Sequence, residues 1–158
     1  MSVRFSAVCA AMMVAACSSP SATPVGAPAP AAAPASSASA KTSSWDGVYT
    51  SAQAQRGATI FASTCNKCHG PAAVGSADDG GRLVGKEFFE KFDGVTLDQL
   101  FTSIYTLMPL DHPKSLPPKD VADVVAYLLA QNQMPAGTSP LSEDPAQLKG
   151  LRISATKP

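Results

Sequence analysis

An all-α fold is predicted by three observations: two capping boxes, three stretches with apolar residues at helical spacing, and no period-two alternation long enough for a strand. The first helix starts at Thr50, where Gln53 completes a capping box. Ala54, Gly57, Ala58 and Phe61 then place small and apolar groups on one face leading into Cys65. Thr96 with Gln99 repeats that start for a second helix carrying Leu97, Leu100, Phe101, Ile104 and Tyr105. After Pro117-Pro118, Val121, Val124, Val125, Leu128 and Leu129 recur at helical spacing, with Asp123 and Gln131 off that face. A short helix is expected around Lys86 to Phe92, and Asp144-Pro145 opens another that ends at Gly150. The expected architecture is therefore three main helices plus one or two short ones.

The chemistry is concentrated in Cys65-Asn66-Lys67-Cys68-His69. Two thiols two residues apart, followed at once by an imidazole, match what covalent haem c attachment requires: thioethers to both vinyl groups and a proximal iron ligand. Other readings fit less well. A thioredoxin-type CxxC sits after a strand of a βαβ unit, and nothing strand-like precedes Cys65. A zinc site needs two further ligands, and the other histidine, His112, brings no partner cysteines. A surface disulfide leaves His69 unexplained.

The amino terminus reads as an export signal over residues 1–16: Arg4 is the positive start and Phe5 through Ala16 form an apolar stretch. That stretch is shorter than the about 20 residues a membrane-spanning helix needs. Val14-Ala15-Ala16-Cys17 resembles a bacterial lipobox, which implies lipidation of Cys17; Ser18 at the next position favours outer-membrane sorting. Residues 17–44 are then a linker of Ala, Pro and Ser that lacks the apolar groups to offset ordering. It spans on the order of 80 Å if extended and roughly 30 Å as a coil. Residues 45–134 form the expected globular domain and 135–158 a carboxy-terminal extension packed on it or trailing from it. Twelve basic residues balance twelve acidic ones with no dense Lys/Arg cluster, so the electrostatic footprint of a nucleic-acid binder is missing.

The chain resembles class I c-type cytochromes with a single haem, through Gly57 and Phe61, the Cys65–His69 motif, Gly70-Pro71, Met108-Pro109, and Tyr127 on the last long helix. The resemblance implies that the first and last main helices cross at Gly57, with Phe61 and Tyr127 filling the seam. It also implies that the Pro71 carbonyl accepts the Nδ1 proton of His69. Met108 is the preferred sixth ligand, since it follows the Thr96 helix, precedes a proline and lies in a loop that must cross the haem face. Met134 and His112 are its rivals. Arg82, Lys86 and Trp45 are candidate propionate contacts. Asp78-Asp79-Gly80-Gly81 reads as a loop without enough ligands for calcium.

From Gln53 to the Met108 loop, and again over Asn132–Gly137 and Ser139-Pro140-Leu141, the sequence looks like the cytochrome module of quinohaemoprotein alcohol dehydrogenases. Together with the export signal and the lipobox-like Cys17, this leads to the expectation of a periplasmic, lipid-anchored carrier of single electrons, not an enzyme, exchanging them with a dehydrogenase, a respiratory complex or an oxidase. Two other readings stay open: a haem enzyme or sensor with a displaceable sixth ligand, and a fixed subunit of a larger oxidoreductase.

Overall fold

The computed structural model of the chain describes residues 40–75 and 81–158. The expected signal, Cys17, the linker as far as residue 39, and Asp78, Asp79 and Gly80 lie outside the described residues. Among the described residues five α-helices follow in order: α1 (Ser51–Ile60), α2 (Asn66–His69), α3 (Lys86–Phe92), α4 (Leu97–Leu107) and α5 (Pro118–Gln131). A π turn, Phe61–Cys65, joins α1 to α2, and 3-10 turns occupy Pro71–Ala73 and Pro145–Leu148. Both capping boxes form: Thr50 accepts from the Gln53 N–H while the Gln53 side chain accepts from the Thr50 N–H, and Thr96 and Gln99 repeat the arrangement. Among the described residues no helix is long and apolar enough to cross a membrane.

The contact that organises the fold is between α1 and α5. A β-carbon on Gly57 would collide with the Asp123 carbonyl oxygen and lie 2.8 Å from the Tyr127 β-carbon, so only a residue without a side chain lets the two backbones meet. One turn further along α1 and α5, the rings of Phe61 and Tyr127 pack with centroids 5.1 Å apart. On the other side of α5, Val121, Val125 and Leu129 join Phe88, Leu97, Leu100 and Phe101 in the main core.

Asp123 corrects the sequence reading. Expected off the buried face, its side chain is fully buried, because α5 is covered around most of its circumference once α1 lies against it. Its carboxylate accepts two bonds from the Arg56 guanidinium, both 2.7 Å, and one from Lys119 at 2.9 Å. Burial by itself pushes this carboxyl up, and the hydrogen bonds and charges of Arg56 and Lys119 outweigh it, holding it below the ordinary value of 3.8.

A carboxyl depressed in the fold contributes its stability in full above the unfolded value and loses it as pH falls through the folded one. Thermal stability is therefore expected to decline below about pH 4. Arg56→Gln, which leaves the buried carboxylate with Lys119 alone, should move that decline to higher pH. It should also cost more than Asp123→Asn, which strands only two half-exposed cations that water takes up. Melting curves of the three proteins between pH 3 and 7 check the order; a larger loss for Asp123→Asn would show that the buried charge is not what Arg56 compensates.

The carboxy-terminal residues are part of the fold. Leu141, Leu148 and Ile153 are buried in the main core. Gln53, itself buried, donates to the Leu141 carbonyl at 2.9 Å and accepts from the Leu141 N–H at 2.7 Å. Gly137 and Gly47 meet with no room for a β-carbon on Gly137. Arg152 bridges two elements: its N–H donates to the Thr42 carbonyl, its carbonyl accepts from Ser44, and its guanidinium donates to the Gly94 carbonyl. The linker boundary expected at residue 44 is accordingly too late, because Thr42–Ser44 pair with Arg152 and the Asp46 carboxylate accepts from the Thr42 and Ser43 N–H groups.

Candidate haem site

The Cys65–His69 motif sits where α1 ends against α5. Phe61 is buried in a small apolar cluster with Ala73, Val124 and Leu128, and Ile60, Cys65, Leu83, Val84, Ile104 and Tyr127 pack around it. The π turn from Phe61 to Cys65 adds a residue to the helical register there, an irregularity that recurs at functional sites. Cys65 is half-buried, Cys68 exposed and His69 partly exposed, so the motif faces outward from an apolar wall. Burial and the neighbouring Cys68 push the Cys65 thiol up to about 11, which keeps it protonated at neutral pH. The redox CxxC motifs run the other way, with a thiolate stabilised below its ordinary value.

After His69 the chain reverses. Gly70 has φ +69°, and a β-carbon there would strike the Gly75 carbonyl; the Gly75 N–H meanwhile donates to the His69 carbonyl at 2.8 Å. The His69 Nδ1 atom lies 3.0 Å from the Gly81 carbonyl oxygen. A carbonyl only accepts, so this contact puts the imidazole proton on Nδ1 and leaves the Nε2 lone pair available to a metal. The acceptor differs from the one the resemblance implied. The Pro71 carbonyl instead closes the Pro71–Ala73 turn by accepting from the Val74 N–H at 3.3 Å.

Met108 caps the carboxy-terminal end of α4, partly exposed, with its N–H donating to the Ile104 carbonyl. Of its rivals, His112 stands in a turn closed by its own N–H on the Pro109 carbonyl; its side chain is 77% exposed and 3.6 Å from the Asp111 carboxylate. Met134 is a core residue, 2% exposed, whose carbonyl accepts from the buried Tyr49 hydroxyl at 2.6 Å. The Trp45 indole N–H is committed to the Ser154 carbonyl, which removes it from the candidate propionate contacts. Arg82 lies 3.7 Å from Glu87, and Lys86 2.8 Å from Glu90. Among the described residues no three His, Cys, Asp or Glu side chains come together as a metal cluster.

These residues fit a covalently held haem. A large flat apolar group needs an apolar wall beside its points of attachment, and Phe61, Val124, Leu128, Ile104 and Tyr127 provide one next to Cys65. Iron needs an imidazole with a fixed tautomer, and the Gly81 contact supplies it. Asn132 stands out in the sequence only as part of a resemblance. Buried at the end of α5, it accepts from the Gly85 N–H and donates to the Leu83 and Leu128 carbonyls. Its place after the last apolar turn of a helix marks it as a cap; its two bonds across 47 and 49 residues leave no trace in sequence.

The all-α fold, with its first and last main helices crossed at a glycine and CxxCH at the end of the first, is the fold of class I c-type cytochromes. Residues 52–128, just under half of the chain, match the family model described as cytochrome C oxidase, cbb3-type, subunit III. That domain class implies covalently bound haem c, electron carriage and redox partner proteins. No curated protein and no solved structure gives a significant match to the chain.

Proposed function

We propose that the chain carries single electrons with one haem c, which Cys65 and Cys68 would hold covalently and whose iron His69 and Met108 would ligate. The observation that carries this reading is the placement of Cys65 and His69 beside the Phe61–Val124–Leu128 wall, with the His69 proton on the nitrogen that faces the Gly81 carbonyl. Bound haem c supplies a one-electron couple, which imidazole and thioether ligation saturate and bias toward the ferrous form. The chain's own part is to hold the two ligands and to keep apolar side chains packed against the attachment point. Lipidation at Cys17 and a stalk over residues 17–40 then hold the domain at a bacterial membrane, facing the periplasm, with the outer membrane favoured by Ser18. The partners are a dehydrogenase, a respiratory complex or an oxidase.

A second reading, a fixed subunit of an oxidase complex, is favoured by the matched family model, which describes an oxidase subunit. Against the tail as its docking element stands the burial of Leu141, Leu148 and Ile153 in the domain's own core.

The test is an optical spectrum of the purified full chain, oxidised and reduced. His/Met ligation is expected to give a low-spin ferrous spectrum and a sulfur-to-ferric-iron charge-transfer band, with slow cyanide binding. A missing charge-transfer band with rapid cyanide or carbon monoxide binding would point to an enzyme or sensor instead. Copurification with other subunits after gentle detergent extraction would favour the fixed-subunit reading.

A further inference from the structure

We infer that Asn132 is a positioning residue for His69, acting through the Gly81 carbonyl; this rests on reading His69 as an iron ligand. Three bonds engage both donors and the oxygen of the Asn132 amide. Its Nδ2 donates to the Leu128 carbonyl at 2.8 Å and to the Leu83 carbonyl at 3.0 Å, while its Oδ1 accepts from the Gly85 N–H at 2.9 Å. The side chain is 5% exposed, so none of these partners is readily replaced by water. A residue serving only to cap α5 needs the Leu128 contact and nothing more. The two bonds to Leu83 and Gly85 reach a separate segment and fix it two to four residues beyond Gly81.

Gly81 is thereby held from its far side, and the same segment is tied to the motif's own turn, since the Leu83 N–H donates to the Ala73 carbonyl at 2.9 Å. The consequence is chemical. An anchored carbonyl on Nδ1–H keeps the imidazole electron-rich and its plane fixed, which favours ferric iron and lowers the reduction potential. Loosening the anchor weakens that bond and raises the potential.

The experiment uses the full-length haem-loaded protein. In its diamagnetic reduced state, the His69 Nδ1 proton is expected to show nuclear Overhauser contacts to Gly81 and Arg82; contacts to Pro71 in their place would overturn the inference. Asn132→Ala is expected to speed exchange of that proton about fivefold to tenfold, the weight of one hydrogen bond, and to raise the potential. Asn132→Ser keeps a hydroxyl for the local Leu128 carbonyl but is too short for Leu83 and Gly85, so it should change both quantities as Asn132→Ala does, and it serves if Asn132→Ala does not fold. Gln53→Ala removes a comparably buried amide clamp elsewhere and should lower the melting temperature without changing either quantity. An Asn132 variant that melts earlier with unchanged proton exchange and unchanged potential would reduce the residue to a helix cap. A parent spectrum without low-spin haem would sink the underlying functional reading as well, and it is seen before any variant is made.

Discussion

Gly57→Ala is expected to be among the most destabilising single-methyl changes in the domain. Its β-carbon would overlap the Asp123 carbonyl, a backbone atom of a helix whose opposite side is packed into the main core, so neither element can shift without opening a second interface. The cost should reach about 3 kcal/mol or more, at the upper end of what overpacking produces. On a domain of this size that corresponds to a melting temperature lower by on the order of 10 °C. Gly150→Ala is the control: a β-carbon there meets nothing within 4 Å, and its effect should stay within about 0.5 kcal/mol. Thermal melts of the two haem-loaded variants decide the matter. Equal losses would mean that the α1–α5 contact is not the tight point of the fold.

Met108→His is expected to give the largest functional change, a fall in reduction potential of on the order of 0.1–0.3 V within the about 0.8 V that axial ligands span. Thioether sulfur favours ferrous iron and a second imidazole favours ferric. Met134→Leu should leave the potential nearly unchanged, because Met134 is a core residue whose backbone carbonyl, not its sulfur, accepts from the Tyr49 hydroxyl. It should still lower stability by less than about 1.5 kcal/mol, as volume-conserving core swaps do. Voltammetry of both variants checks the assignment; a fall for Met134→Leu and none for Met108→His would transfer the sixth ligand.

What could be read from sequence was local. Thr50–Gln53 and Thr96–Gln99 named two helix starts because a capping box is complete within four residues. Cys65, Cys68 and His69 were legible because attachment chemistry fixes their spacing. Gly57 was legible only through a family resemblance, since a glycine in a helix has several possible reasons. The misses share a cause. Asp123 belongs by periodicity to a polar face, and only a second helix laid across it turns that face into an interface. The acceptor of the His69 proton lies twelve residues away, and the Asn132 clamp 47 and 49 residues away, so both depend on chain reversals that no local pattern encodes.

Gln53 couples two parts of the fold that lie far apart in sequence. One side-chain amide both closes the start of α1 and grips residue 141, a loop of 88 residues. The entropy of closing so long a loop grows only slowly with its length, so the clasp costs little more than a short one. Releasing residue 141 leaves the buried Gln53 amide without its two partners there, which ties the start of α1 and residue 141 into one unit that loosens together.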